Sequence, residues 1–306
     1  MNSGIVYAVL AFVTWGLFPL YLRQVASVHP VEVVLHRSAW SLLFVLVLMA
    51  VLRRLDALRA TFRQPRTLGL FTVSALLLSC NWLVYVFAVQ SGHVVEASLG
   101  YFINPIVNVL LGVLVLHERL NRVQWTAVAL AAAGVLWLTV LAGRPPWIAL
   151  VLAVSFGLYG LMRKTSSLGA MEGLALETLL LSPLVLPLLA WWTWRGQGAM
   201  ARGDWALNGW LLLGGPLTAM ALLWFAAGAR RLPLTTVGLI QYVSPTLQLA
   251  LGVWVFHEPF DRARLIGFAF IWCALALYSL DGWRRSREAA ARLASKPAAL
   301  PPTQAG

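Results

Sequence analysis

VEASLGYFINPIVNVLLGVLVLHERLNR, residues 95–122, returns further along the chain as VGLIQYVSPTLQLALGVWVFHEPFDR, residues 237–262. In register, Pro105 meets Pro245, Gly112 meets Gly252, His117-Glu118 meets His257-Glu258, and Arg122 meets Arg262. A chain that carries one long segment twice is an internal duplication, and the repeat has to be settled before any element is assigned.

Outward from these two segments the 306 residues are 60% hydrophobic and only 11% charged. Soluble chains carry roughly 25% charged residues, so the composition is that of a membrane protein. The formal net charge of +12 sits in connections between apolar runs and in the tail, where retention of short basic loops on the cytoplasmic side explains it without a nucleic-acid partner. Cys80 and Cys273 both fall inside apolar runs, as small hydrophobes rather than a disulfide framework. The N-terminus MNSGIVYAVLAF lacks a positive n-region, which argues against a cleaved signal peptide.

Apolar runs bounded by charge, Gly or Pro fall at 4–22, 32–52, 68–88, 94–116, 123–141, 147–162, 171–192, 208–228, 234–256 and 263–281. They are continuous rather than alternating, so they predict helices, not a barrel. The predicted fold is therefore all-α and integral to the membrane, with ten transmembrane helices in two five-helix repeats. An odd number of spans per repeat brings the second repeat into the bilayer from the opposite side, so the repeats are inverted. That architecture is shared by many secondary transporters, whose substrate site lies near the midplane and whose halves rock about it. The predicted units are residues 1–141, 147–282 and a basic, then Ala- and Pro-rich tail, 283–306, expected to be largely disordered in the cytoplasm. With Met1 cytoplasmic, the inner connections collect Arg53, Arg54, Arg59, Arg63, Arg66, Arg119, Arg122, Arg163, Lys164, Arg230 and Arg231 together with the basic tail, while the outer ones hold Arg23, Arg144, Arg195, Arg202, Arg262 and Arg264. The bias favours cytoplasmic N- and C-termini.

The words HRSAW (36–40), NWLVYVFAV (81–89), EASLGYFINP (96–105), YGLMRK (159–164), QYVSPT (241–246) and FAFIWCALALY (268–278) resemble the EamA group of the drug/metabolite transporter superfamily. The resemblance covers residues 4–282 and departs from the group's pattern at His117, where Gly is expected, which puts weight on Glu118. It implies a multi-pass permease of the bacterial inner membrane with both termini cytoplasmic. Some members of the group are linked to chloramphenicol resistance and others move amino acids or nucleotide sugars, so it implies no particular substrate.

Ionisable residues inside spans are costly and tend to mark a functional path. The clear ones are His36 and Arg37 in the second run, Glu96 in the fourth and Glu177 in the seventh. His36 and Glu177 correspond when the repeats are aligned through Gly16 and Gly157. Inversion then places them on the order of 15 Å apart in depth, too far for a salt bridge. Arg37 is expected to pair with Glu96, and Glu177 to find Arg163 or Lys164. These clusters are expected either to gate the pathway and carry protons or to neutralise charge statically.

Pro105 and Pro245 each remove a backbone N–H at the same point of both repeats, and paired interruptions are the best sequence pointer to a transporter site; a packing kink is the plainer reading. Around them lie Tyr101, Asn104, Asn108, Gln241, Tyr242, Ser244, Thr246 and Gln248, the expected cavity lining. Trp15, Trp82, Tyr85, Tyr159 and Trp224 sit within spans and either contact a solute or pack the core.

The two His-Glu pairs face opposite sides of the bilayer and cannot share a metal ion; helix-end caps suit each better. No Gly-rich phosphate loop, Ser-His-Asp set or CxxC spacing appears, so neither an enzyme nor a bound cofactor is expected. The expected function is gradient-driven movement of a small organic metabolite or drug by alternating access, coupled to a proton or a counter-solute. The alternative is a membrane protein that binds or senses a ligand without moving it. Fusion of the repeats makes a monomer sufficient.

Overall fold

Helix boundaries follow local signals along the chain. Pro30 opens α2 (Pro30–Val51) at its first turn, where a missing N–H costs nothing. Asp204 caps α9 (Trp205–Ala229) by accepting from the Leu207 amide at 3.1 Å. Asn121 and Gln124 form a reciprocal capping box at the start of α6 (Arg122–Ala142), which ends on left-handed Gly143, φ 75°. The structure, a computed structural model, describes residues 3–61, 64–90, 94–143, 147–255 and 262–294. Its remaining elements are α1 (Ser3–Gln24), α3 (Leu55–Thr61), α4 (Pro65–Gln90), α5 (Val94–Leu114), α7 (Trp147–Thr165), α8 (Ala170–Trp194), α10 (Leu234–Ile240), α11 (Val243–Trp254) and α12 (Arg262–Ala294). A 3-10 turn, Ala199–Arg202, precedes α9.

Among the described residues there is no strand, and eight helices are long and apolar enough to cross a membrane: α1, α2, α4, α6, α7, α8, α9 and α12. The other two predicted segments are the two copies of the repeated stretch. One is α5, whose described apolar part is Gly100–Leu114. The other is divided into α10 and α11. Two more differences from the sequence expectation are α3, which occupies part of a predicted basic loop, and α12, which continues through Ala294 rather than ending near 281.

The division of the second copy has a local cause. Pro245 has no N–H for the Gln241 carbonyl, which accepts instead from Ser244 N at 3.1 Å, tightening the turn before α11 resumes. Pro105, its counterpart, lies inside an unbroken α5. The expected pair of interruptions is thus one break and one continuous helix.

Close packing repeats with the sequence. A Cβ on Gly16 of α1 would lie 2.8 Å from Leu247 of α11, and one on Gly157 of α7 would lie 2.7 Å from Val107 of α5. Small residues that let helices approach are the main source of packing energy where lipid, not water, is the competing solvent. The consequence is an exchange of first helices. Helix α1 packs on α9 and α11 of the second repeat, and α7 packs on α4 and α5 of the first. Two bundles result, one of α1, α2, α9, α10 and α11, the other of α4, α5, α7 and α8. They meet along α2 with α8 and α5 with α10, and the α6–α12 pair lies to one side, joined to α5 and α10.

Candidate functional site

A cavity of about 160 Å³ lies between the two bundles. One wall comes from Phe12, Trp15, Phe18, Pro19 and Leu22 of α1, Arg37 of α2, Thr218 and Leu222 of α9, and Gln241, Ser244, Pro245 and Gln248 at the α10–α11 break. The facing wall comes from Leu78, Asn81, Trp82 and Tyr85 of α4, Gly100, Tyr101 and Asn104 of α5, and Leu152 and Phe156 of α7. These residues run from the middle of each helix toward the end of the molecule where α1 finishes and α2 begins.

The floor is an amide network across the bundle interface. Gln241 Nε2 donates to Asn104 Oδ1 at 2.8 Å, and Asn108 Nδ2 donates to Gln241 Oε1 at 2.8 Å and to Asn104 Oδ1 at 3.2 Å. Asn104 Nδ2 in turn reaches the Ala153 carbonyl at 3.1 Å. Beneath it, a Cβ on Gly238 of α10 would stand 2.7 Å from the Pro105 carbonyl oxygen, so α5 and α10 touch backbone to backbone there. Hydrogen bonds between side chains in an apolar bundle hold helix register.

Arg37 supplies the charge. Its Nε donates to Thr218 Oγ1 at 2.9 Å, and its guanidinium carbon lies 4.5 Å from the Phe18 ring centre and 5.6 Å from that of Trp82, distances at which cation–π attraction operates. Tyr85 and Tyr101 stand edge to face with ring centres 6.3 Å apart. Asn81 Nδ2 is committed to the Leu152 carbonyl and Ser155 Oγ, and Gln248 Nε2 to the Trp15 carbonyl.

Of the residues expected to line a cavity, Tyr101, Asn104, Gln241, Ser244, Pro245, Gln248, Trp82 and Tyr85 do so. Asn108 belongs to the floor network without lining the cavity, and Pro105 lies below it. Tyr242 is buried and donates to the Phe102 carbonyl at 3.2 Å. Tyr159 is buried beside Phe225, with which it stacks. Thr246 and Trp224 are partly buried away from the lining.

The ionisable residues separate into distinct places. The Glu96 side chain lies outside the described residues, and with it the expected partnership with Arg37. His36 is not in the cavity: its Nδ1 accepts from Trp40 Nε1 at 3.3 Å, and its Nε2 is 3.6 Å from Glu32, whose Oε1 also accepts from the Ala199 amide at 2.6 Å. Glu177 lies toward the opposite end of the bundle from Arg37. It accepts from Ser74 Oγ at 2.5 Å and Tyr159 Oη at 3.4 Å, and lies 3.7 Å from Arg163 Nη1. Arg163 also donates to the Ala170 carbonyl at 2.8 Å and packs over Phe71. The site is closely fitted, since a Cβ on Gly173 would collide with the Arg163 guanidinium.

At that same end three polar contacts join the two bundles. Glu118 accepts from the Leu234 and Thr235 amides at 2.6 and 3.1 Å, and from Thr235 Oγ1 at 2.9 Å, so it caps α10. Lys164 Nζ donates to the Leu232 and Ala229 carbonyls at 2.5 and 3.3 Å. Arg230 returns the contact to the Ser166 and Leu168 carbonyls. His257 and Glu258, the other copy of the His-Glu pair, lie outside the described residues.

Sequence reasoning did not single out Asn81, Thr218 or Ser74. Asn81 was visible as an amide inside the apolar run 68–88. Thr218 and Ser74 carry no such signal, because a lone hydroxyl in a span commonly bonds its own helix.

Comparison with known proteins agrees with this architecture. The model of the EamA-like transporter family matches twice, over residues 2–140 and 145–280. The chain is 44% identical to protein RarD of Streptomyces exfoliatus over 95% of this chain and 93% of that one. It is 43% identical to the uncharacterized transporter YojE of Bacillus subtilis over 93% and 97% of the two chains. A solved crystal structure, 20% identical, superposes with a TM-score of 0.69 over 93% of this chain and 99% of its own, which shows a shared fold. A duplicated helical membrane protein with a cavity at the junction of its exchanged bundles, matched by one family model in each half, belongs to the EamA-like transporter family.

Proposed function

We propose that this membrane protein is a secondary transporter that carries a small organic metabolite or drug through the cavity between its two bundles by alternating access. The observation that carries the reading is polar asymmetry along the bundle. Toward one end the contact between the walls is the cation–π pair of Arg37 with Trp82, beside Tyr101, while toward the other hydrogen bonds of Glu118, Lys164 and Arg230 tie the bundles together. Positive-inside bias makes the closed end cytoplasmic and puts both termini on that side of a bacterial inner membrane. The arrangement corresponds to an outward-facing state.

The moving parts in this reading are the mixed bundles rather than the sequence repeats, because α1 and α7 travel with the opposite half. Glu177 ties α4, α7 and α8, all of one bundle, and so shapes the wall against which the inner gate closes; its carboxyl, with Arg163, is the proton-coupling element. His36, with Glu32, holds the turn before α9 at the outer end. A monomer contains every part of the pathway, and the energy comes from a gradient of protons or a counter-solute.

The test is solute counterflow in liposomes holding the purified chain, screened over metabolites and drugs with chloramphenicol included. Exchange of a labelled solute that Glu177→Gln slows at least tenfold is expected. Specific binding with no exchange for any solute would favour the sensory alternative.

A further inference from the structure

We infer that the cavity selects organic anions, with Arg37 as the group that takes the substrate's carboxylate; the inference rests on the transport reading of this cavity. Among the described residues the lining carries one ionised side chain, Arg37, and no carboxylate. Salt-bridge partners within 4.0 Å are likewise absent for Arg37 among the described residues. Its Nε is occupied by Thr218, which fixes the plane of the fork, and the rings of Phe18 and Trp82 hold the guanidinium in place. No hydrogen bond to the described residues occupies the terminal nitrogens Nη1 and Nη2.

A guanidinium held inside an apolar bundle on one neutral hydrogen bond is costly, and a planar anion is the ligand that relieves the cost by two parallel N–H···O bonds. The rest of the lining adds to the specification. Trp15, Trp82 and Tyr101 present broad ring surface, which suits an aromatic or branched apolar body. The amides of the floor bond to one another or to a backbone carbonyl and leave Asn108 Oδ1 as a neutral acceptor, so the described lining holds no ionised acceptor for an ammonium group. The favoured substrate is thus a monocarboxylate with an apolar body. Amines are repelled and zwitterions are only half recognised.

Thermal unfolding of the purified full chain tests this with a panel of aromatic and branched-chain carboxylates, each beside its primary amide and its amine, since a ligand that binds the folded state raises the midpoint. Carboxylates are expected to stabilise the chain with at least about tenfold higher affinity than their amides, with amines inactive. Arg37→Gln is expected to abolish that preference while leaving the ligand-free midpoint close to that of the parent chain, and Thr218→Val to weaken carboxylate binding by about threefold to tenfold through loss of the fixed plane. Amides that bind as well as acids, or Arg37→Gln with undiminished carboxylate affinity, would overturn the inference. So would Glu96→Gln that tightens carboxylate binding more than about tenfold, the mark of a resident counter-ion on Arg37. Carboxylates that bind but do not exchange in liposomes leave the anion site standing and remove the transport reading; exchange confined to neutral or cationic solutes does the reverse.

Discussion

Glu177 and Arg163 are each 1% exposed, and their pairing is supplemented by Ser74, Tyr159 and the Ala170 carbonyl. Removing one member leaves the other buried without its counter-charge. Glu177→Ala is therefore expected to destabilise the chain by about 3–5 kcal/mol, whereas Glu177→Leu combined with Arg163→Met recovers most of the loss. The measurement is the unfolding midpoint in detergent, and equal midpoints for the single and double variants would show that the charges do not depend on each other. Glu118 makes a different kind of contact, a carboxylate on two backbone amides at the start of α10. Gly112 leaves it space, since a Cβ there would come within 2.7 Å of Glu118 Oε2. Glu118 was readable as a helix-end cap from its position, but the helix it caps was not, because a sequence does not say which neighbour a loop folds against. Arg37 was readable as an expensive charge in a span; Thr218, which aims it, was not.

Helices carry the next level of argument. Pro245 breaks its helix and Pro105 does not, although the two prolines occupy the same place in their repeats. The difference lies in what surrounds them: at the break, Gln241 turns inward to Asn104 and Asn108, and this interhelical bonding offsets the lost turn. Pro245→Ala restores the N–H for the Gln241 carbonyl and favours one straight helix from α10 through α11. It is expected to slow counterflow at least tenfold with the folded fraction unchanged, while Pro105→Ala has a smaller effect. Comparable slowing by both variants would show that the break is not the functional element. At the inner end, Lys164→Ala with Arg230→Ala removes two of the three ties between bundles. A cysteine at Thr218 is then expected to react faster with a membrane-impermeant reagent added from the cytoplasmic face; unchanged reactivity would place the gate elsewhere. The positions of the predicted helices matched apolar runs well. The extension of α12 through Ala294 did not follow from hydropathy, because the continuation is charged and hydropathy does not register helix propensity or an i,i+4 pair such as Asp281 with Arg285.

For the molecule as a whole, inversion of the repeats followed from the odd number of spans, but the exchange of first helices did not. Hydrophobic periodicity reports that a helix is buried and is silent on its neighbour. The exchange predicts which cross-links the transport cycle tolerates. In a chain with Cys80→Ser and Cys273→Ser, a disulfide from Gly4→Cys with Arg231→Cys joins α1 to the end of α9 within one bundle; a Cβ on Gly4 would lie 2.9 Å from that of Arg231, close to disulfide reach. It is expected to leave counterflow intact. A reducible bifunctional thiol reagent bridging Lys164→Cys with Leu232→Cys, spanning the gap that the lysine side chain now crosses to the Leu232 carbonyl, joins the two bundles at the inner end and is expected to stop counterflow until reduced. Block by the first link and tolerance of the second would mean that the repeats themselves are the moving bodies.

The exchange also sets an order of assembly during synthesis. Helix α7 leaves the ribosome when α4 and α5 are already in the membrane, so its neighbours are waiting for it. Helix α1 is made before every other described helix, yet α9 and α11, on which it packs, are among the last of them. It must be held without these neighbours while the intervening helices are made, which makes α1 the described helix most dependent on the insertion machinery and the one most exposed to quality control.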